Sequence, residues 1–424
     1  MAVVSSSRMT RGSGVCVQQR LRSVGGSRVV ERGYEARMRS WKAARAAAES
    51  ASVGAEEEKK SEGTKGEEED FAISPAAIQV TDAAIANATT SSSSLVEKEF
   101  MFEGYRTRYV EAHPPANVDV VGSAVLVHGF GGNAEHWRKN MPALAAAGIR
   151  SFAIDLLGYG YSEKPPPDVQ EPNTIYNMEK WASQILSFVD DVASLPTTCT
   201  SSSEDSDAAR VPDARNDVFL VCNSIGGVAG LQAAKDDELR PEAERRIKGV
   251  TLLNVSLRML HVKKTPAWQR PLVRSLQSFL RTTPVGEFFF KTIATPEGVR
   301  NVLREAYNKP QTVDDTLVDN ILKPGLEEGA VRVFLDFISY SGGPLPEELL
   351  AEVNLPVSIL WGEKDPWEPL EVAQAELKNF PCVESFTVIP ESGHCPMDED
   401  PELVNPELVQ FITSNAADAP SIRC

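Results

Sequence analysis

Ser224 stands in the run Cys222-Asn223-Ser224-Ile225-Gly226-Gly227, between an apolar stretch of strand composition and a helical one. A serine forced onto a tight strand-to-helix turn projects its hydroxyl out of the sheet. The residues two before and two after it must be small, because backbone crowds them, and Cys222 and Gly226 meet that demand. The helix N-terminus behind such a serine favours negative charge developing in front of it. Taken alone, the run also fits an ordinary strand-to-helix turn with a helix-capping serine.

A serine nucleophile needs a base, and the base needs an orienting carboxylate. The strand-like run Pro356–Trp361 ends in Gly362-Glu363-Lys364-Asp365, and Ser385–Ile389 ends in Pro390-Glu391-Ser392-Gly393-His394. Both loops follow the C-terminal ends of strands, so a parallel sheet brings them to one edge. Asp365 and His394 are 29 residues apart, enough for a helix and a strand between them. The chain has five histidines. Of the other four, His113 precedes two prolines, His128 is placed to brace its own turn, His136 opens a helix and His261 lies in an insertion. Glu363 is the fallback acid. Asp398, Glu399 and Asp400 read as solvated charge, and Asp155 as a loop-holding carboxylate. Cys395 adjoins the base, but the strained turn belongs to Ser224.

Acyl transfer also requires backbone N–H groups aimed at the carbonyl oxygen that gains charge. Ile225 can supply one. The loop His128-Gly129-Phe130-Gly131-Gly132-Asn133 can supply a second from Phe130. It is not a phosphate loop, since no Lys-Ser/Thr pair follows and the spacing is not G-x-G-x-x-G. No histidines pair at metal-ligand spacing, and the six cysteines contain no C-x-x-C, so neither metal nor cofactor is expected.

From about residue 98, short β-rich runs alternate with helical periodicity. This predicts an α/β fold with a mostly parallel sheet covered by helices on both faces. Helices are expected over Ala134–Ala147, over Tyr176–Val192 with Trp181, Ile185, Phe188 and Val189 on one stripe, and near 402–414. The alternation divides the chain into a first core part at 98–256, a mostly helical insertion at 257–350, a second core part at 351–415 and a tail at 416–424. Residues 196–216, rich in Ser, Thr, Asp and Pro, read as a polar insert in the first part.

Residues 1–45 hold ten basic residues against two acids, with abundant Ser and Thr. That is the composition of an organelle transit peptide. Residues 46–97, acidic and Ser-rich, read as a disordered linker. The net charge of −17 argues against a nucleic-acid partner. No run approaches the roughly 20 apolar residues that span a bilayer.

The order Ser224, Asp365, His394, with the glycine-rich loop upstream, resembles the α/β-hydrolase superfamily over about 98–415. Within it, Asn223-Ser-Ile-Gly-Gly227, Leu252-Leu-Asn254, Trp361-Gly-Glu-Lys-Asp-Pro-Trp367 and Gly393-His-Cys-Pro-Met-Asp-Glu399 resemble plastid hydrolases of the pheophytinase and chlorophyll-dephytylase type. The resemblance implies an α/β-hydrolase fold with 257–350 as a helical lid. It implies a plastid serine hydrolase that cleaves the ester of a hydrophobic or amphiphilic substrate, such as a chlorophyll-related phytyl ester. Ser224, Asp365 and His394 would be catalytic, with Phe130 and Ile225 forming the oxyanion hole. The alternatives are a small-molecule binding or receptor protein on the same fold, and a lyase or acyltransferase using the same triad.

Residues 258–291 hold seven basic residues and one acid, with Trp268, Phe279, Phe288, Phe289 and Phe290 among them. Two readings stand. The lid is a surface for an amphiphilic substrate or for peripheral contact with an anionic membrane, or its aromatics pack inward as the cap's own core.

Overall fold

The computed structural model describes residues 95–416, except 169, 196–216 and 260. The stretches read as transit peptide and polar insert, most of the one read as linker and nearly all of the tail lie outside the described residues.

Eight strands form one sheet in the order β1-β2-β4-β3-β5-β6-β7-β8. They are β1 (Val96–Phe102), β2 (Tyr105–Ala112), β3 (Gly122–Val127), β4 (Ile149–Ile154), β5 (Val218–Asn223), β6 (Ile247–Leu253), β7 (Val357–Gly362) and β8 (Val383–Ile389). From β4 to β8 all neighbours run parallel. The central strands are mostly apolar and buried over their whole length, as parallel strands covered by helices must be. The fold is that of the α/β hydrolases.

The hairpin β1–β2 was not legible as such in the sequence. β1 begins at Val96, inside the stretch read as linker, and three of its seven residues are charged and exposed. The turn is Glu103-Gly104, both with positive φ (49° and 85°), a two-residue geometry that matches the twist of the flanking strands. β2 runs antiparallel to β4.

The helices are α1 (Met141–Ala146), α2 (Met178–Phe188), α3 (Ile225–Glu238), α4 (Arg270–Thr282), α5 (Pro284–Ile293), α6 (Pro296–Ala306), α7 (Asp315–Gly325), α8 (Ala330–Phe337), α9 (Pro346–Leu350), α10 (Leu370–Leu377), α11 (Pro396–Glu399) and α12 (Pro401–Asn415). Residues of one strand alternate between two cores. Val125 and Val127 join α2, α3 and α10, while Ala124 and Leu126 join α1 and α12. The expected helix over Ala134–Ala147 is two pieces: a 3₁₀ turn at Ala134–Trp137, then α1 with Pro142 in its first turn. The expected helix over Tyr176–Val192 is shorter, ending at Phe188 and followed by a wider turn at Val189–Ala193. Trp181, Ile185, Phe188 and Val189 are all buried, as their stripe predicts.

The insertion holds α4 to α9. Its last helix already belongs to the core, since Leu349 and Leu350 join the cluster around α3.

Candidate active site

The strand order places the site. β4 lies on one side of β3 and β5 on the other, so the loops leaving β3 and β5 diverge and open a crevice at the C-terminal edge of the sheet. Ser224 follows β5 and the glycine-rich loop follows β3.

Ser224 has φ 55° and ψ −123°, a conformation that costs a non-glycine residue on the order of 1–3 kcal/mol. The surroundings hold it there. Its N–H donates to Leu253 O at 3.0 Å, and its carbonyl accepts from Gly227 N at 3.0 Å and Ser256 N at 3.1 Å. A Cβ on Gly226 would stand 2.5 Å from His128 O, so the tight turn requires glycine there. Ser224 is 7% exposed.

His394 Nδ1 lies 2.7 Å from Asp365 Oδ2. The other carboxylate contacts fix Asp365. Its Oδ2 accepts from Asn254 Nδ2 at 2.7 Å, and its Oδ1 from the amides of Trp367 at 2.8 Å and Glu368 at 3.1 Å. Asn254 in turn accepts from Gly362 N at 2.9 Å, tying the end of β6 to that of β7. Burial works against charge on His394, but the charge and hydrogen bond of Asp365 outweigh it, so its pKa is raised. Among the described residues no hydrogen bond joins the side chains of Ser224 and His394, although both line one cavity of about 400 Å³. Asn223 Nδ2 donates to His394 O at 3.2 Å and so couples the two loops.

The glycine-rich loop lies against the serine. A Cβ on Gly129 would come within 2.9 Å of Ser224 Cβ. Phe130 and Gly131 line the same cavity. Among the described residues neither Phe130 N–H nor Ile225 N–H has a hydrogen-bond acceptor; Ile225 is the first residue of α3, where the helix offers none.

The rest of the cavity wall is mostly apolar and comes largely from the insertion, with Phe290 and Ile293 of α5, Leu303 of α6, and Phe334 and Phe337 of α8. Glu368 and His136 are among the polar side chains that line it besides the serine and histidine. Glu368 is buried; its Oε1 accepts from Ser256 Oγ at 2.9 Å, and Oε2 has no partner among the described residues. Burial pushes its carboxyl up to about 7. His136 is buried with both ring nitrogens unpartnered, and burial holds it down to about 4, so it is neutral at pH 7.

The remaining candidates are placed elsewhere. His128 bridges Gly129 O at 2.7 Å and Leu156 N at 3.1 Å, bracing its turn. His261 contacts Gly343 O, and His113 contacts Glu111. Glu363 is taken up by Lys364 and by the amide of Glu391. Asp155 accepts from Ala134 N and Tyr161 N, holding its loop. Burial raises the thiols of Cys222 and Cys395, which keeps both protonated at neutral pH.

The cluster Asp398, Glu399 and Asp400 departs from the sequence reading, because all three are buried rather than solvated. Asp398 meets Arg138 at 2.9 Å, Lys139 at 3.0 Å and the Tyr307 hydroxyl at 2.9 Å, and Asp400 pairs with Lys309. Glu399 accepts from the amides of Gly393 at 3.0 Å, Asn308 at 3.2 Å and Lys309 at 2.6 Å. It thus fastens the histidine loop to the loop after α6. Sequence reasoning also passed over Glu368 and gave Asn254 no role. The spacing of Glu368, three residues after Asp365, was the only signal available.

Known proteins agree with this architecture. A profile of the alpha/beta hydrolase family matches residues 124–407. Chloroplastic pheophytinase of Arabidopsis thaliana is 26% identical over 330 residues, covering 67% of this chain and 59% of that protein. The match therefore spans less than two thirds of that relative's length. The 2-hydroxy-6-oxo-6-(2'-aminophenyl)hexa-2,4-dienoic acid hydrolase of Metapseudomonas resinovorans is 25% identical over 333 residues, covering 77% of this chain and 94% of its own. A crystal structure of a serine hydrolase involved in carbazole degradation superposes with a TM-score of 0.54 at 20% identity, covering 76% of this chain and 100% of the other. With two thirds of its length matched by one profile, the chain belongs to the alpha/beta hydrolase family.

Proposed function

We propose that the protein is a serine hydrolase of carboxylic esters. One observation carries this reading: Ser224, the Asp365-bound His394 and two amides with no acceptor converge on a single mostly apolar cavity. Asp365 accepts from Nδ1–H of His394, which leaves a lone pair on Nε2. As substrate binds, the Ser224-to-His394 contact tightens, as catalytic hydrogen bonds do on going from the free enzyme to the complex. His394 Nε2 takes the hydroxyl proton while Oγ attacks the ester carbonyl. The amides of Phe130 and Ile225 hold the oxyanion. Collapse expels the alcohol oxygen, which takes the proton from His394, and leaves an acyl-enzyme. Water then attacks with His394 again as base, releasing the acid and restoring the serine.

The substrate is a hydrophobic or amphiphilic ester in the plastid, with a chlorophyll-related phytyl ester as the leading candidate. The aromatic and aliphatic cavity wall and the chloroplastic pheophytinase relative support this. The Arg-rich, acid-poor first 45 residues fit a transit peptide. A binding protein on this fold would have no need of a paired His394 or of unengaged amides beside the serine. Incubating the protein with a plastid lipid and pigment extract, followed by mass spectrometry, tests the proposal. It predicts that an ester disappears and its acid and alcohol appear, with none of this for Ser224→Ala. An unchanged extract would contradict the substrate class.

A further inference from the structure

Helix α4 turns its apolar side outward. At 100° per residue, Leu272, Leu276 and Phe279 form one stripe, and Arg270, Arg274 and Arg281 fall on the opposite one. Leu272 is 69% exposed, Leu276 54% and Phe279 48%, and no residue of the helix is buried. The polar side holds the helix in place: Arg270 Nε donates to Thr265 O at 3.0 Å, and Gln277 Nε2 to Ile338 O at 3.2 Å. Trp268, just before the helix, is exposed, as are Val285 and Phe288 on α5. Phe290, on another side of α5, lines the cavity. Of the two readings of this aromatic segment, packing as the cap's own core does not describe these side chains.

Charge selects what covers such a surface. Lys263 and Lys264 are neutralised by Glu348, Glu347 and Glu376. Arg270, Arg274 and Lys291 have no carboxylate partner among the described residues. A second copy of the chain, meeting the first across a two-fold axis, would set like-charged lids face to face. An anionic bilayer would attract this surface and repel the rest of a chain of net charge −17.

We infer that α4, with the exposed side of α5, docks on a membrane containing anionic lipid. The Leu272–Leu276–Phe279 stripe enters the boundary between headgroups and acyl chains, and Arg270, Arg274 and Lys291 behind it add a longer-range attraction to the anionic surface. This brings α5, a wall of the cavity, to the bilayer.

The test is flotation of the full chain with phosphatidylcholine vesicles, with and without phosphatidylglycerol. The variants are Leu276→Asp/Phe279→Asp and Arg274→Glu, and every protein keeps the basic first 45 residues. All three substituted residues are exposed, so thermal unfolding should be unchanged. The wild type should float with the anionic vesicles. The double variant should partition at least about tenfold less, and Arg274→Glu on the order of tenfold less. The inference is overturned if the wild type stays unbound with both vesicle types, or if the double variant floats as well as the wild type. It also falls if the wild type self-associates through the stripe, seen as a doubled mass that the double variant lacks.

Discussion

The sulfur of Cys222 lies 2.5 Å from where a Cβ on residue 230 would stand, so the glycine at position 230 makes room for the thiol. Cys222 occupies the position two before Ser224, where the turn demands a small residue, and α3 accommodates it by giving up a side chain one turn into the helix. Gly230→Ala should therefore destabilise by about 1–3 kcal/mol through overpacking. In a Cys222→Ala background the same change should be neutral or stabilising by up to about 1 kcal/mol, because alanine is the better helix former. Denaturant unfolding of the four proteins measures the coupling. Simple additivity would mean that the two positions do not share this space.

The proposed base must be neutral to act. Asp365 holds His394 above its ordinary value of 6.5, so kcat/KM should rise with pH through a midpoint above 6.5. Asp365→Asn should lower kcat on the order of 10³–10⁴-fold and move that midpoint to lower pH, because the main influence opposing burial is then gone. A midpoint that stays in place in the variant would assign the titration to another group.

Glu368 supplies a separate signature in stability. It is an acid whose folded value, about 7, lies above its ordinary 4.5. Its contribution is thus full below 4.5 and is lost as pH rises through about 7. His394, also raised, loses its contribution as pH rises through its own folded value, so both slopes have the same sign. Glu368→Gln should remove one of them: between pH 5 and 8 its melting temperature should fall less than that of the wild type. Parallel curves would show that Glu368 does not titrate in this range.

Glu399 connects the histidine loop to the helical insertion. It accepts three amides, from Gly393, Asn308 and Lys309. Glu399→Ala would leave these donors without an acceptor, at a cost on the order of 1–3 kcal/mol for each one that stays buried. The expected outcome is a lower melting temperature and a lower kcat on a soluble ester, with Glu399→Gln intermediate because it keeps one acceptor oxygen. Unchanged kcat in a destabilised Glu399→Ala would confine its role to the fold.

The parts of this molecule that repeat local chemistry were legible in the sequence. Buried parallel strands such as Val218–Asn223 are continuous apolar runs. The loops bearing Ser224 and Asp365 each follow such a run, and the loop bearing His394 follows the half-buried edge strand β8. The hairpin at Val96–Ala112 was less legible because Glu97, Lys98 and Glu99 face solvent, and charged edge strands lack the apolar signal. Asp398, Glu399 and Asp400 were misread because composition registers charge and not partners. Their partners Arg138, Tyr307 and Lys309 lie from 90 to 260 residues away. The outward face of α4 was likewise undecidable, since periodicity gives a stripe but not the direction in which it points.

The central claim is that Ser224 is the nucleophile and that His394 activates it. Intact-protein mass spectrometry after reaction with a fluorophosphonate probe tests it directly. One adduct should form on the wild type and map to the peptide containing Ser224. Ser224→Ala should form none, and His394→Gln should react far more slowly. An adduct on Ser224→Ala at the wild-type rate would contradict the account.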